Sequence, residues 1–469
     1  MTGLQLALLG YLAAQLAIGV WVAPKIRTES DFLVAGRRLG YPLTVFSIFA
    51  TWFGAETCIA SAARAHREGF SLTTAEPFAY GLCLVLMGLV FAVPLWRRQL
   101  TTLADLFRTR YSPAVERTAA IVIIPSSILW AAAQLRGFGH VLTTVSNLEV
   151  GAAIGVAAGF CILYTMLGGL LADAITDLIQ GIVLVVGLAM LAIAVVVRSG
   201  GTVEAFATVG SARLALAGVG ADASLLGLLE EWAIPIAGSV VAAELVSRVI
   251  AARSPQVARN GALIAGGAYI AVGLVPVFIG LAAGGLTPPL AEPEQFLPAL
   301  GRSILPPALY VVFAGAIISA ILSTVDTILL VAGGLASHNV VAPVLGITDD
   351  KRRLLLARAG VVGFGVVAYV LAVRAEGVAA LVEQASAFGS AGVLVVVCFG
   401  LFTTRGGPGT ALVTLIGGLA VYLLAAFGSA PYPFLTSLVA SLALYAGGIA
   451  VAATREARGP RKVDRNVGP

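Results

Sequence analysis

Residues 50–69 read ATWFGAETCIASAARAHREG and fall inside an apolar stretch long enough to cross a membrane. Gly54 and Glu56 lie near its centre, where a helix-weakening glycine and a carboxylate are both unfavourable. Non-helical backbone is tolerated at membrane depth only where it lines a cavity or lies buried in protein. The stretch therefore predicts a broken membrane helix. Taken alone, it is equally consistent with Gly54 serving close helix packing and Glu56 making a structural hydrogen bond.

The composition of the whole chain is that of a membrane protein. Of its 469 residues, 59% are hydrophobic and 11% charged, with a mean hydropathy of +0.97, whereas about a quarter of the residues of a soluble domain are charged. The sequence predicts one all-α polytopic membrane domain over residues 1–469, with thirteen transmembrane helices of the length that a bilayer requires. The predicted spans are 4–23, 42–66, 76–96, 118–142, 150–171, 175–197, 226–250, 260–284, 306–335, 355–374, 378–402, 408–427 and 432–453.

Lysine and arginine placement predicts the orientation of these spans. Most of the 29 basic residues fall on connections that share one face of the membrane, and Arg248, Arg253 and Arg259 are assigned to one of these connections. Because cytoplasmic loops are enriched in Lys and Arg, this face is predicted to be cytoplasmic. The N-terminus is then outside, and the polar tail 454–469 is cytoplasmic. The expected location is the cell inner (plasma) membrane.

Several function classes lack their sequence signals. No G-x-x-x-x-G-K-[ST] loop occurs, so ATP is not expected to drive this protein. The 4 cysteines and 3 histidines are dispersed along the chain, and no nucleophile–base pair stands out. The sequence therefore predicts neither an enzyme nor a nucleic-acid-binding protein, and it gives no sign of an obligate protein partner.

The segment 313–330, FAGAIISAILSTVDTILL, concentrates polar residues in an apolar helix. Ser323, Asp326 and Thr327 are spaced i, i+3 and i+4 and so share one helix face, and Thr324 adjoins them. Hydroxyls beside a carboxylate offer the hard oxygen ligands that suit an alkali cation. Back-bonding to the helix is the alternative for isolated hydroxyls, but it does not explain the adjacent aspartate. We interpret this face as an ion site.

Two further stretches carry polar groups at membrane depth. In 163–181, LYTMLGGLLADAITDLIQG, a Gly-Gly pair predicts a turn between two spans; Asp173 is a candidate helix cap and Asp177 lies one turn deeper. In 230–248, EEWAIPIAGSVVAAELVSR, a proline and a glycine interrupt a span that contains Glu244. This second broken helix comes five spans after the first, which is typical of an inverted-repeat transporter. The repeats are predicted at 42–197 and 226–402.

Four passages resemble the sodium:solute symporter family. They are SDFLVAGRRLG at the entry to the second span, ATWFGAETCIASAARAHREGF, YTMLGGLLADAITDLIQG and AILSTVDTILL. The resemblance implies a LeuT-type fold in which helices 2–6 and 7–11 form a 5+5 inverted repeat, with one N-terminal and two C-terminal helices added. It also implies Na⁺-coupled symport of a small organic solute by alternating access.

The same resemblance implies two cation sites. Oxygen atoms of Ala50, Phe53, Ala320, Ser323 and Thr324 would bind Na⁺ between the second and ninth spans. The positions matching a second cation site of some family members are Asp177, Ser323, Asp326 and Thr327. Asp326 departs from the family pattern, which has serine there in the branch with two well-formed sodium sites. Its extra charge is expected either to strengthen that cation site or to hold a proton.

The solute is predicted less directly. Trp52, Tyr80 and Trp130 match positions where the family's choline-transporter branch places an aromatic cage, which attracts quaternary ammonium ions; helix packing is the alternative role for these rings. Ala242 stands where that branch adds a tryptophan. The predicted solute-binding residues are Trp52, Glu56, Thr57, Glu76, Tyr80, Trp130 and Glu244.

The acids favour a cationic or amine-bearing solute such as choline. Arg136 keeps two alternatives open, since it would either neutralise one acid or hold the carboxylate of an amino acid such as proline. A sugar or a monocarboxylate also remains possible as the solute. The alternatives outside transport by symport are a passive channel and a membrane sensor.

Overall fold

The computed structural model describes residues 3–71, 75–146, 148–207, 209, 224–283, 285–286, 290 and 293–457. Within these residues the regular structure is helical, apart from an isolated bridge between Leu39 and Ala252. The long helices are α1 Gly3–Val22, α2 Tyr41–Trp52, α3 Glu56–Glu68, α4 Phe78–Arg97, α5 Pro113–Val145, α6 Val150–Arg198, α7 Leu225–Gly238, α8 Ala243–Ala251, α9 Pro255–Ala282, α10 Pro307–Val344, α11 Asp350–Arg374, α12 Val378–Phe402, α13 Pro408–Phe427 and α14 Pro433–Ala457. Shorter helices include Glu29–Val34, Ala104–Arg110, Thr202–Ala207 and Phe296–Ile304.

Both predicted helix breaks are present. Helices α2 and α3 form one apolar span that bends by 59° at residues 53–55, and α7 and α8 form another that bends by 40° at residues 239–242. Each break lies next to residues that disfavour a regular helix, Gly54 in the first and Pro235 with Gly238 in the second. The two breaks occupy the second and seventh predicted spans, as an inverted repeat requires.

The predicted turn at the Gly-Gly pair takes the form of a break inside α6. This helix has 49 residues, which at 1.5 Å per residue is more than twice the length that crosses a bilayer. Gly169 interrupts it with φ 53° and ψ −175°, a conformation open to glycine because it has no Cβ atom. The predicted spans 150–171 and 175–197 therefore correspond to the two parts of α6.

Counting spans by length and hydropathy gives nine helices among the described residues, and eleven when each bent pair is counted as one span. The fold class is thus confirmed as all-α and polytopic, while the number thirteen stays a prediction. The polar tail is partly helical, since α14 continues to Ala457. Residues 458–469 of the predicted tail lie outside the described residues.

Helix α10 is the central scaffold. It packs most extensively against α6 and also contacts α5 and α11. The most apolar window of α10 is 78% buried within the protein, whereas that of α14 is only 22% buried. Polar side chains on α10 are consequently shielded from lipid by protein on every side, while α14 offers most of its surface to the bilayer.

Candidate functional site: a broken helix between two ion clusters and an acidic cavity

The break after α2 leaves backbone groups that need partners outside the helix. At Phe53 the backbone leaves the helical conformation, with φ −87° and ψ 65°. The N–H of Ala55 donates to Oε1 of Gln134 on α5 at 2.7 Å. Because a backbone N–H can only donate, this bond fixes the orientation of the Gln134 amide. Its Nε2 then donates to Oε2 of Glu56 at 2.7 Å. Gln134 thus provides a hydrogen-bond partner both for the backbone N–H freed at the break and for the carboxyl group beside it.

This arrangement explains the glycine at position 54. A Cβ atom on Gly54 would lie 2.5 Å from Oε1 of Gln134 and 2.6 Å from Oε2 of Glu56. Such distances are too short for non-bonded atoms, so one of these polar groups would have to move. Glycine is required here by the close approach of Gln134 and Glu56 to the backbone.

We expect Gly54→Ala to reduce solute binding strongly and to lower stability by about 1–3 kcal/mol, the usual effect of overpacking a filled interior. Gly159→Ala on α6 is the matched control, because no atom lies within 4 Å of the Cβ it would add. Thermal unfolding of both purified variants, with and without solute, checks this expectation. A Gly54→Ala protein as stable and as responsive to solute as the Gly159→Ala protein would contradict it.

Four of the five predicted sodium ligands lie together between α2 and α10. Oγ of Ser323 donates to the carbonyl of Ala50 at 2.8 Å, and Oγ1 of Thr324 lies 3.3 Å from the same carbonyl. The two hydroxyl oxygens also lie 2.9 and 3.1 Å from the carbonyl oxygen of Ala320, so the two carbonyls share the single proton of each hydroxyl. Phe53, the fifth predicted ligand, lies in the non-helical turn at the end of α2. A small cation among these oxygens would be coordinated by the carbonyl oxygens and by the hydroxyl lone pairs, with the hydroxyl protons turned away from it.

The predicted second cation site is larger than the sequence indicated. Asp177 accepts from Ser47 of α2 at 2.6 Å, and Asp326 accepts from Thr165 of α6 at 3.1 Å. Oγ1 of Thr327 donates to Asp173 at 3.1 Å. Asp173, treated from sequence as a candidate helix cap, instead lies within α6 and belongs to this cluster.

Arg248 of α8 enters the same cluster. It forms an ion pair with Asp173, donates to Thr327, and lies 3.9 Å from Asp177. The sequence-based assignment of Arg248 to a cytoplasmic connection was wrong, because its side chain is 0% exposed. A lone arginine at the end of an apolar segment is assigned to the following loop when its buried partners are not known.

The cluster has more carboxyl groups than basic groups, and it contains unpaired oxygen atoms. It contains the carboxyl groups of Asp173, Asp177 and Asp326 but a single guanidinium. One oxygen of each carboxyl group is buried without a hydrogen-bond partner among the described residues. Buried carboxylates need opposite charge or hydrogen-bond donors, so this geometry suits one further cation or proton.

A cavity of about 400 Å³ lies beside the break, between α3, the start of α7 and the start of α12. Its lining is strongly acidic; the acids are Glu56, Glu76, Glu230, Glu231 and Glu383. Arg64 is the basic residue of this lining, and it is paired with Glu231 at 3.0 Å and Glu68 at 3.1 Å. The described lining therefore has an excess of negative charge.

Glu56 and Glu76 are the acids closest to the break. Oε1 of Glu76 accepts from Thr57 at 2.7 Å and from the hydroxyl of Tyr269 at 2.5 Å. Tyr80 also lines the cavity, and its hydroxyl lies 3.0 Å from Oγ of Ser386 on α12. The cavity thus brings together three of the seven predicted solute-binding residues, Glu56, Glu76 and Tyr80.

The other four predicted solute-binding residues are not in the cavity lining. Trp52 is 1% exposed, and its ring meets that of Trp130 edge to face at 5.1 Å. The indole N–H of Trp130 points at Glu56, 3.3 Å away. Thr57 lies behind Glu76, and Glu244 accepts from Ser127 at 2.5 Å within the helix bundle. These side chains stand behind the cavity wall or away from it.

Arg136 is also directed away from the cavity. Its Nε lies 3.5 Å from Glu294, which additionally accepts from the backbone N–H of Val378 and lies 3.1 Å from His140. Burial alone would raise the pKa of Glu294, but these partners hold its pKa below the ordinary value. Arg136 therefore ties the connection before α10 to α5, rather than facing Glu56 or a solute.

Sequence reasoning missed Gln134, Tyr269 and Arg248. All three are polar side chains with no exposed surface at membrane depth, the same signal that singled out Glu56 and Asp326. Gln134 and Tyr269 could have been found from sequence as polar residues inside apolar spans, although their partners come from helices far away in sequence. Arg248 was not recognised in this way because it lies at the end of its span.

The model of the sodium:solute symporter family matches residues 32–418. The chain belongs to this family. High-affinity choline transporter 1 of Torpedo marmorata is 25% identical over 390 residues, which cover 77% of this chain and 66% of that protein. Sodium-coupled monocarboxylate transporter 1 of Homo sapiens is 25% identical over 449 residues, covering 90% of this chain and 73% of that protein. The chain spans about two thirds of the length of the Torpedo relative.

Solved structures agree with this family on the fold. A substrate-bound, outward-open Na⁺-coupled sialic acid symporter superposes with a TM-score of 0.83 at 18% identity, covering 97% of this chain and 98% of that one. The fold of this sodium:solute symporter family member is thus the LeuT type, as the sequence resemblance implied.

Proposed function

We propose that this sodium:solute symporter family member carries a small organic cation across the membrane, driven by Na⁺ through alternating access. The observation that carries this proposal is a set of contacts at a helix break. The Ser323 and Thr324 hydroxyls contact the Ala50 carbonyl there, and an acidic cavity lies beside the same break. Unwound carbonyls facing hydroxyls are the type of ligand set with which transporters of this architecture bind sodium.

The coupling follows from this shared helix break. Na⁺ bound by oxygens of Ala50, Phe53, Ala320, Ser323 and Thr324 would hold α2 against α10 and fix the break. Since Glu56 and Gln134 contact the same break, the ion would also order the cavity wall. Each ligand then raises the affinity for the other by the same factor. The membrane potential alone supplies about 2.3 kcal/mol per inward-moving charge per 100 mV, in addition to the Na⁺ concentration gradient.

We further propose that Asp177, Ser323, Asp326 and Thr327 form a second cation site. The unpaired oxygens of Asp177 and Asp326 support it, and Arg248 supplies a tethered positive charge beside it. A bound Na⁺ or a proton would bring the cluster closer to neutrality. Since Ser323 contributes to both sites, occupancy of one site is expected to change the affinity of the other.

The excess of acids in the cavity supports a cationic solute over an anionic one. The relatives include both choline and monocarboxylate transporters, and the ion pair between Arg136 and Glu294 removes the clearest candidate for holding an anion. In this proposal Glu56, Glu76 and Tyr80 contact the solute. Trp52, Thr57 and Trp130 support them from behind, and Glu244 has a structural role within the bundle.

An outside N-terminus and a cytoplasmic C-terminus in the cell inner (plasma) membrane complete the proposal. This orientation opens the acidic cavity to the outside, which suits uptake. A fluorescent protein that folds only in the cytoplasm, fused after Pro469, should fluoresce in cells. A dark fusion that is present in full amount in the membrane would contradict this orientation.

Uptake by proteoliposomes tests the function. With an inward Na⁺ gradient, a radiolabelled organic cation should accumulate above its external concentration, and replacing Na⁺ by K⁺ should abolish the accumulation. Uptake that only equilibrates would indicate a passive channel. Sodium-dependent accumulation of a carboxylate, a sugar or proline, with none of the cations, would overturn the solute class but leave the coupling intact.

A further inference from the structure

The geometry points to a solute that carries N–H donors, a protonated primary or secondary amine, rather than a quaternary ammonium ion. This inference rests on the proposed function, since it concerns the same cavity. It narrows the solute class by asking which groups at the cavity wall are able to hold a positive charge.

The carboxyl groups of Glu56 and Glu76 are arranged as acceptors. Glu56 accepts from Gln134 at 2.7 Å and from Trp130 at 3.3 Å, and Glu76 accepts from Thr57 and Tyr269. All of these partners donate an N–H or O–H to the carboxyl oxygens, so the oxygens act as acceptors. Among the described residues neither acid forms an ion pair with a basic side chain. Two carboxyl groups therefore line the cavity without a basic partner among the described residues.

The remaining acids of the lining are already engaged or exposed. Glu230 accepts from the backbone N–H groups of Phe434 and Leu435, at 2.7 and 2.8 Å, and so caps the start of α14. Glu231 is paired with Arg64, and Glu383 is exposed. The local demand for positive charge is thus concentrated at Glu56 and Glu76.

The aromatic rings do not form a cage in this cavity. Trp52 is 1% exposed and packs edge to face with Trp130. Tyr269 is 0% exposed and packs against Phe53 at 5.4 Å. Tyr80 and Tyr432 are the aromatic residues in the described lining of the cavity. A quaternary ammonium ion, which depends on several ring faces, would find few of them here.

The chemistry of the acids then separates the two kinds of cation. An N–H of a protonated amine forms a charge-assisted hydrogen bond with a carboxylate, which is the stronger type. Methyl groups of a quaternary ammonium ion cannot donate, so they would displace water from the carboxylates without replacing its hydrogen bonds, which is unfavourable. Two acids close to one another favour a solute with at least two N–H groups.

A methylation series tests this inference on the full-length protein in Na⁺. The probes are ethanolamine, N-methylethanolamine, N,N-dimethylethanolamine and choline, which share one chain and one charge while each added methyl removes an N–H. We expect affinity, measured by calorimetry, to fall along the series, with choline at least about tenfold weaker than ethanolamine, the effect of one charge-assisted hydrogen bond. The largest step is expected at N,N-dimethylethanolamine, which keeps one N–H for two carboxylates.

Variants assign the effect to the acids. Glu56→Gln and Glu76→Gln should each narrow the difference between ethanolamine and choline, whereas Glu149→Gln, at an exposed position before α6, should leave it unchanged. Choline binding as tightly as ethanolamine to the unaltered protein would overturn the inference without touching Na⁺ coupling, and so would failure of the whole series to bind. If the affinities follow the expected order but are the same with and without Na⁺, the inference is supported and the proposed coupling is contradicted.

Discussion

Replacing Ser323 and Thr324 together by alanine should abolish the Na⁺ dependence of solute uptake and leave the protein folded. Both hydroxyls meet the Ala50 carbonyl, at 2.8 and 3.3 Å, so their removal takes two of the five proposed ligands from the ion. A hydrogen bond or ligand contact to a charged group contributes about 1.5–3 kcal/mol. The loss of two should weaken Na⁺ binding by at least about 100-fold.

The measurement is Na⁺-dependent thermal stabilisation together with uptake into proteoliposomes. Ser319→Ala is the control, because Ser319 lies about one turn earlier on α10 and bonds to the carbonyl of Gly315 and to the hydroxyl of Tyr11, but has no hydrogen bond to the Ala50 carbonyl. This control should keep its response to Na⁺. If the double variant showed unchanged Na⁺ stimulation, the site between α2 and α10 would not be the coupling site.

The second large effect is expected on stability, from Arg248→Met. The guanidinium is 0% exposed and pairs with Asp173 inside a cluster of three carboxyl groups. Removing one partner of a buried ion pair destabilises a protein by about 3–5 kcal/mol, because the other charge is left buried and unpaired. That amount is a large part of the usual 5–15 kcal/mol of unfolding free energy.

Thermal unfolding in detergent should therefore show a much less stable Arg248→Met protein. Arg253→Met is its control, since Arg253 is exposed just beyond the same helix. If the single variant does not fold, the double variant Asp173→Asn with Arg248→Met should recover part of the folded yield, because it removes the unpaired charge. Raising the Na⁺ concentration should also restore stability. Arg248→Met with wild-type stability would show that the cluster does not depend on this charge.

The sequence predicted most of the fold because its dominant signals are local. Apolar stretches of spanning length, and the glycines and proline inside them, are readable wherever they occur. Ser323, Asp326 and Thr327 share a helix face whatever surrounds them, so the ion-binding face of α10 could be recognised before its partner was known. The Ala50 carbonyl could be added to that site through the family resemblance.

Pairings between distant helices could not be read in the same way. Arg248 looked like a loop charge, and its place beside Asp173 depends on the packing of α8 against α10 and of α10 against α6. The residues that line the cavity could not be predicted either, because Trp52 and Tyr80 are both aromatic residues in apolar spans and the sequence does not distinguish them. Which of their faces is covered by another helix is decided by the bundle.

The opening glycine and acid illustrate the division. From ATWFGAETCIASAARAHREG alone, Gly54 and Glu56 could be recognised as unfavourable in a helix surrounded by hydrocarbon, which left a helix break and close helix packing as the alternatives. The packing of the helices shows that the break is present and which groups it brings together. Gln134, from a different span, accepts from Ala55 and donates to Glu56, and this approach leaves no room for a Cβ atom at position 54. Burial costs are set by residue type, whereas the hydrogen-bond partners that offset them are set by which helices meet.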